Sequence, residues 1–331
     1  MASPLPPIDE SGACAIDADV PGSVADRAAG VLLGLAAGDD NGGPAEMALC
    51  LAESLCACRP RYCAEDAGDR YLAWYRDQAN THVVWDTGPT AGRVFRAARR
   101  GAELPAAAEA LDRDTGRQTA GVNSTHRVAP LAAAAWLDGD ALQRAAWEES
   151  GLTHHHDLAR ASCVVFVSLC RSLVLGCAWE VALSDAARLP QLQQTSAQLL
   201  LEVVQNALEL ARRSGECGGV RGNVARRKSR GALHPGGFCV EALRAALHFA
   251  ITAPSVEAGL QEAKRFAGAD NFCPVLVGAL LGASRGAREV AAKETTRSHG
   301  RAQYAALLAR TRAVASTLAA SWAHHGPSEP R

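Results

Sequence analysis

The chain has 331 residues, of which 48% are hydrophobic and 21% charged, and its formal net charge is -1. This balance is typical of a globular protein, and the near-neutral charge gives no reason to expect general nucleic-acid binding. The sequence lacks a run of about 18 uninterrupted apolar residues, which argues against a membrane-spanning helix.

Residues 1–24 are rich in Pro, Gly, Ser and acidic side chains, which predicts a flexible N-terminal tail. The tail has neither the basic start nor the apolar stretch of a signal peptide. Eleven cysteines are scattered without the regular spacing of a disulfide framework, and they are typical of reduced thiols. We therefore expect a cytoplasmic protein.

From residue 25 to 325 the apolar residues recur at three- and four-residue spacing, which predicts a single all-α domain. Helices are expected over residues 24–35, 47–55, 70–75, 90–100, 128–136, 152–175, 191–213, 240–249, 255–267, 274–285 and 303–323. Residues 214–232 are Gly-rich and basic, which predicts a surface loop, with a specific anion site as the alternative. The pattern predicts neither strands nor repeats.

Four loops that precede helices combine Asp, Asn, Thr, Ser or His with turn-forming residues. These loops cover residues 38–44, 85–90, 123–127 and 269–274. One interpretation is helix capping, because such side chains satisfy the free amide groups at helix starts. The other is that several helix starts meet in one cleft, where amides favour anions and carboxylates bind cations or transfer protons. Spacing alone does not decide between the two.

Six segments, in order along the chain, resemble motifs of the ADP-ribosylglycohydrolase superfamily. The segments are Gly34-Leu35-Ala36-Ala37-Gly38-Asp39, residues 47–55, Asp86-Thr87-Gly88, residues 123–130, Thr153-His154 and residues 278–283. The resemblance implies a compact orthogonal bundle of many helices. It also implies a hydrolase of an ADP-ribosyl or related N- or O-glycosidic bond. The expected partner is an ADP-ribose-like small molecule or an ADP-ribosylated acceptor.

The resemblance also implies which residues form the site. Asp86 and Asp39 stand at motif positions and are expected to be catalytic, with Asp86 as general base or as a carboxylate that orients the substrate. Substrate contacts are expected from Trp85, Thr87, Gly88, Asn123, Ser124, His126, Thr153 and His154. The alternatives are capping for Asp86 and His154, core packing for Trp85, and a hydrogen-bonded turn for residues 123–126.

The metal motifs depart from the family pattern. Gly42-Gly43-Pro44 stands where the family has Thr-Asp-Asp, and Ala269 and Asn271 occupy the two Asp positions of the C-terminal motif. Magnesium prefers carboxylate oxygens, so these changes argue against the usual two-magnesium site. A weaker site for one Mg²⁺ could be rebuilt from Asp40, Asn41, Asp270 and Asn271.

Within the superfamily, the motifs look more like the branch that holds J1-crystallin and selenoprotein J. Two functions therefore stay open: a glycosidic-bond hydrolase, and a non-catalytic binding or crystallin-type structural protein derived from that family. Cys273 lies near the position where this branch carries selenocysteine or cysteine. Its thiol is either acidified by the start of a helix or packed in the core.

Overall fold

The computed structural model describes residues 22–81, 85–216, 233–270, 272–294 and 302–323. The α-helices in these ranges are α1 (Val24–Gly38), α2 (Gly43–Ala57), α3 (Ala64–Thr81), α4 (Pro89–Ala98), α5 (Leu104–Asp114), α6 (Asn123–Arg127), α7 (Pro130–Ala133), α8 (Gly139–Gly151), α9 (Asp157–Val174), α10 (Trp179–Ala186), α11 (Gln198–Glu216), α12 (Cys239–Thr252), α13 (Val256–Ala267), α14 (Pro274–Arg285), α15 (Ala287–Glu294) and α16 (Ala302–Ala320). The only β-pairing in the described part of the chain is an isolated bridge between Gly121 and Phe238. The predicted all-α fold is confirmed.

Helices α1 and α14 pack against each other with their backbones in contact. A side chain at Gly34 would collide with the carbonyl of Gly278, and one at Gly38 would collide with the carbonyl of Pro274. The contact at Pro274 brings the C-terminal end of α1 to the N-terminal end of α14. The loop that follows α1 and the loop that precedes α14 are therefore neighbours, and this packing places two of the four polar loops side by side.

A buried ion pair fixes the short helix α6. The Arg127 Nε lies 2.6 Å from the Glu149 Oε1 of α8, and neither side chain is exposed. The Tyr71 hydroxyl of α3 donates to the same carboxylate oxygen at 2.7 Å. Buried charges are retained where they are paired and hydrogen-bonded. This cluster therefore anchors α6 from its core side and so fixes the positions of Asn123 and His126 in the same helix.

Most of the expected helices are present, and the one at residues 274–285 has the predicted bounds. Helix 128–136 is wrong, since only Pro130–Ala133 is helical. The helix expected from residue 152 begins only at Asp157, because His156 is its N-cap. The Arg171 side chain of α9 donates to the carbonyls of Ala132, Leu137 and Ala134, which takes the place of helical hydrogen bonds there. Helices α5, α6, α8, α10 and α15 were not predicted.

The expected terminal tail and basic loop fall largely outside the described residues. Residues 1–21 and 217–232 lie outside them, whereas Ser23 is the N-cap of α1 and residues 214–216 belong to α11. In the part of the chain that the structure describes, no helix combines the length and apolar character needed to cross a membrane.

Candidate active-site cleft

The four polar loops come together at one place. Side chains at Gly42 and Gly43 would collide with the Trp85 ring and the Asp86 backbone, so the first loop lies against the second. A side chain at Gly88 would collide with the Asn123 side chain, which joins the second loop to α6. The His126 Nε2 then lies 2.9 Å from the carbonyl oxygen of Phe272, in the fourth loop. If each loop only capped its own helix, the four loops would have no reason to lie together. Capping alone therefore does not explain this arrangement.

The second, third and fourth loops contribute to a cleft of about 500 Å³. Its lining residues are Asp86, Gly88, Pro89, Thr90, Gln118, Ala120, Gly121, Val122, Asn123, His126, Gly237, Phe238 and Phe272. Two backbone hydrogen bonds form one wall: Val122 N–H donates to the Gly237 carbonyl at 2.9 Å, and Cys239 N–H donates to the Ala120 carbonyl at 3.0 Å. This volume lies within the roughly 300–1,000 Å³ typical of small-molecule sites.

Asp86 lies at the rim of the cleft, where its side chain is exposed. Its Oδ1 accepts a hydrogen bond from the Gly88 N–H at 2.8 Å, which forms a tight turn just before α4. Gly88 has a φ of +70°, a conformation that side chains strongly disfavour, and its missing side chain leaves room for Asn123. The turn therefore holds Asp86 and Asn123 in a fixed relation to each other.

His126 reaches the cleft from α6 and is 4% exposed. Only a nitrogen that carries hydrogen can bond to a carbonyl, so the contact with Phe272 places the proton on Nε2. Its Nδ1 is then a bare acceptor, and it is buried without a hydrogen-bond partner among the described residues. Burial lowers the pKa of His126, although Phe272 and Asp86 act in the opposite direction, so the ring is neutral near pH 7.

A small polar niche lies beside Gly121. The position that a Cβ would take at this glycine is 3.7 Å from the His154 Nε2, 3.8 Å from the Asn123 Oδ1 and 3.9 Å from the Thr90 Oγ1. His154 is fully buried, its Nδ1 is 2.8 Å from the Thr153 hydroxyl, and its Nε2 has no partner among the described residues. Burial lowers the pKa of His154 to about 3, so the niche carries no cationic imidazole at neutral pH.

Six of the ten predicted catalytic and substrate-binding residues are not among those that line the cleft, namely Asp39, Trp85, Thr87, Ser124, Thr153 and His154. Ser124 is fully buried and accepts a hydrogen bond from the Ser150 hydroxyl at 3.0 Å, so its contact with a substrate stays a prediction. Thr153 is also buried, and its hydroxyl forms a hydrogen bond with the His154 Nδ1. Asp39 is fully buried, and its carboxylate accepts three backbone N–H bonds, from Asn41, Gly42 and Ala45, at 2.8–2.9 Å. These contacts give Asp39 a structural position, and its catalytic role stays a prediction.

Trp85 and Thr87 stand beside the cleft without being among its lining residues. The Trp85 ring packs against Gly42, and its backbone N–H donates to the Gln78 side chain at 3.1 Å. Thr87 is half-buried next to Gly92 of α4. Both residues shape the loop that carries Asp86, so any contact between them and a substrate stays a prediction.

The described residues of the predicted metal set do not fit a divalent cation. The Asp40 carboxylate pairs with the Lys264 ammonium, and the Asn41 backbone N–H donates to Asp39. In the part of the chain that the structure describes, no three His, Cys, Asp or Glu side chains are grouped so that they could hold a metal ion. The side chain of Asp270 and the whole of Asn271 lie outside the described residues.

The Cys273 thiol is packed in the core. The residue is fully buried at the start of α14, and burial raises the pKa of its thiol to about 12. The alternative of an acidified, redox-active thiol is therefore not supported, because the thiolate is the reactive form and burial disfavours it. The fourth loop contributes its Phe272 carbonyl to the cleft region rather than a reactive sulfur.

Sequence reasoning missed several cleft residues. Phe238 is 39% exposed and presents an aromatic ring at the cleft, and Gln118 and Gly121 line the same space. Phe238 follows a Gly-rich basic stretch whose composition indicates only a loop. The Gly236-Gly237-Phe238 step directly before an apolar helix was the one available signal. It did not reveal the pairing with Gly121, more than a hundred residues earlier in the chain.

Comparisons with known proteins agree with this architecture. The family model described as ADP-ribosylglycohydrolase matches residues 21–323. A solved structure titled "ADP-ribosylglycohydrolase-related protein complex" has a similar fold, with a TM-score of 0.63 and 22% identity over 90% of this chain and 99% of that one. No curated protein sequence matches the chain. At 22% identity the structural match shows the fold alone, whereas the family match covers nearly the whole chain. The chain belongs to the ADP-ribosylglycohydrolase family.

Proposed function

We propose that the cleft binds an ADP-ribose-like ligand and that the protein hydrolyses an ADP-ribosyl or related glycosidic bond. The observation that carries this proposal is the niche beside Gly121, where His154 Nε2, Asn123 Oδ1 and Thr90 Oγ1 surround one small space. All three groups are uncharged near neutral pH and form hydrogen bonds. Such a niche suits a sugar hydroxyl, which both donates and accepts, better than a phosphate.

Phe238 supports a ligand that also has a flat apolar part. Its ring is partly exposed and lies across the cleft wall that Gly121 and Gly237 form. A nucleobase can stack on such a ring, and base stacking on an aromatic side chain is worth about 1–3 kcal/mol. A ribose in the niche and a base on Phe238 together match the two ends of a nucleotide-sugar ligand.

Asp86 is the best-placed group for the chemical step. Its carboxylate is exposed at the rim and oriented by the Gly88 N–H. In the proposed reaction it accepts a proton from a water molecule whose oxygen attacks the anomeric carbon. The bond from that carbon to the acceptor breaks, and the acceptor leaves with the electron pair and takes up a proton from solvent. The His126 Nδ1 can accept a hydrogen bond from a ligand hydroxyl.

A binding protein without hydrolytic activity is the second candidate. Asp39, at a family motif position, and Asp40, of the predicted magnesium site, are bonded to donors within the protein. If no cation binds there, the protein lacks the electrostatic assistance that the resemblance to metal-dependent family members implies. The same cleft could then bind the ligand without cleaving it, or serve a structural role of the crystallin type with no ligand.

Calorimetric titration with ADP-ribose tests the binding proposal. The informative variant is Gly121→Ala, because a methyl group there makes ordinary van der Waals contacts and fills the niche without a collision. The matched control is Gly139→Ala, since a Cβ at Gly139 meets no atom within 4 Å. We expect wild type and Gly139→Ala to bind equally and Gly121→Ala to bind at least about tenfold more weakly, or 1.4 kcal/mol. Equal binding by all three proteins would show that the niche does not contact the ligand.

Release of ADP-ribose from arginine- and serine-linked peptides separates the two candidates. Hydrolysis by wild type that is lost in Asp86→Asn, with ADP-ribose affinity retained, supports the enzyme. Binding without hydrolysis supports the binding protein. A folded wild-type protein that does not bind ADP-ribose at millimolar concentration excludes both and leaves the structural role.

A further inference from the structure

The carboxylates around the loop between α1 and α2 are bonded to N–H groups of the protein itself. Asp39 accepts three backbone amides, as described above. Asp40 pairs with Lys264 of α13. Glu46, in the first turn of α2 and 8% exposed, lies 2.9 Å from the Nη1 of Arg310, which belongs to α16. Two basic side chains, both from helices near the C-terminal end of the chain, therefore balance the acids of this loop.

Lys264 occupies a position that is suited to a cation. Its ammonium group contacts the Asp40 carboxylate and also donates to the Ala37 carbonyl at 3.0 Å. Ala37 lies in the last turn of α1, where unpaired carbonyls and the helix dipole favour positive charge. The Lys264 side chain is only 16% exposed, so the charge is held in place rather than extended into solvent. The Lys264 ammonium is thus held by the Asp40 carboxylate and by a carbonyl at the C-terminal end of α1.

We propose that Lys264 supplies the positive charge at the α1–α2 loop in place of a divalent cation, so that this loop of the folded protein does not bind Mg²⁺. Magnesium sheds its water reluctantly and prefers an octahedron of oxygens. To bind here it would have to displace the ammonium from Asp40. Among the side chains that the structure describes, the neighbouring acids offer no substitute, because Glu46 is bonded to Arg310 and Asp39 to the backbone.

Metal binding by the full-length protein, stripped with a chelator, tests this proposal without any assay of activity. We expect titration of wild type with Mn²⁺, followed by electron paramagnetic resonance, to show no stoichiometric binding below millimolar concentration. We also expect MgCl₂ to leave its melting temperature unchanged. Stoichiometric Mn²⁺ binding by wild type at submillimolar concentration would overturn the proposal, and Asp40→Asn would show whether Asp40 is the ligand.

Substitution of Lys264 tests the site directly. Lys264→Met keeps most of the stem and removes the charge, so Asp40 and Ala37 lose their cationic partner. We expect millimolar Mg²⁺ to raise the melting temperature of Lys264→Met, and the response to disappear when Asp40→Asn is added. Lys264→Arg retains the charge and should remain unresponsive, like wild type. A Lys264→Met protein that folds and shows no Mg²⁺ response contradicts the proposal. Because these readouts involve no ADP-ribose, their outcome is independent of the proposed function.

Discussion

The Arg127 guanidinium and the Glu149 carboxylate meet in the protein core, with Nε and Oε1 2.6 Å apart and both side chains excluded from solvent. The Arg127 Cζ also lies 4.7 Å from the centre of the Tyr71 ring. Burial opposes the charge on Arg127, but Glu149 more than compensates, so the pKa of Arg127 is raised. Arg127 is the last residue of α6, so this pair positions the helix that carries Asn123 and His126.

Arg127→Met should be strongly destabilising. It leaves the Glu149 carboxylate buried without its cation, and loss of one partner of a buried pair typically costs about 3–5 kcal/mol. Urea unfolding followed by circular dichroism measures this change. The exposed pair Arg188–Asp185 is the control, and Arg188→Met should cost less than about 1 kcal/mol. Similar losses in the two variants would show that burial of the Arg127 pair is energetically unimportant.

Two glycine substitutions near the rim should have opposite effects. Gly88→Ala places a side chain at a φ of +70° and against Asn123, so it should destabilise the protein by about 1–3 kcal/mol and weaken ADP-ribose binding. Gly92→Ala, in α4, meets only Thr87 and Arg96 atoms, at 3.4 and 3.5 Å, and should stabilise the helix by about 0.5–1 kcal/mol. Thermal and urea unfolding test the pair. A stabilising Gly88→Ala would disprove the turn geometry.

His154 should make stability fall as the pH falls below about 6.5. Burial, helped by Arg127 and His126, lowers its pKa from 6.5 in the unfolded chain to about 3 in the folded protein. Between these values the unfolded chain binds a proton that the folded protein does not, so acid favours unfolding by up to about 1.4 kcal/mol per pH unit. Above pH 6.5 His154 is neutral in both states and leaves the free energy of unfolding unchanged. As the pH falls from 6.5 towards about 3, the free energy of unfolding decreases progressively.

The variant His154→Asn isolates that contribution. Its amide can still bond to the Thr153 hydroxyl but does not titrate. Urea unfolding across the acidic range should therefore show a shallower pH dependence for the variant than for wild type. Since other groups titrate equally in both proteins, only the difference in slope is diagnostic. Parallel curves would mean that His154 takes up a proton in the folded state.

The sequence was most informative where local signals define an element. Pro274 at the start of α14 and Gly286 after its end gave the correct helix bounds, because proline fits the first turn and glycine the left-handed C-terminus. Residues 128–136 misled because their carbonyls bond to the Arg171 side chain, which is distant in sequence. When a side chain of a distant helix donates to these carbonyls in place of helical N–H groups, the local spacing of apolar residues does not show it.

The cleft shows the same division between local and distant information. The loop motifs marked residues 86, 88, 123 and 126, and all four line the cleft. Asn123 and His126 are three residues apart and share the face of α6 that lines the cleft, whereas Ser124 and Arg127 share a face that is turned into the core. Helical spacing could therefore have excluded Ser124 once a helix was predicted there. The contribution of Phe238 depends on its pairing with Gly121, which no local pattern indicates.

Substitution by asparagine should have different effects at Asp39 and at Asp86: the first should lower stability, and the second should abolish hydrolysis. In Asp39→Asn one carboxylate oxygen becomes an amide group that faces a backbone N–H, so at least one of three buried hydrogen bonds is lost, at a cost of about 1–3 kcal/mol. The folded variant should still bind ADP-ribose with wild-type affinity, because Asp39 lies outside the cleft lining. Asp86→Asn keeps the oxygen that accepts from Gly88 and should unfold like wild type, while hydrolysis is lost. Urea unfolding, calorimetry and ADP-ribose release measured on both variants distinguish the two roles. An Asp39→Asn protein of normal stability that has lost only hydrolysis would instead support a catalytic role for Asp39.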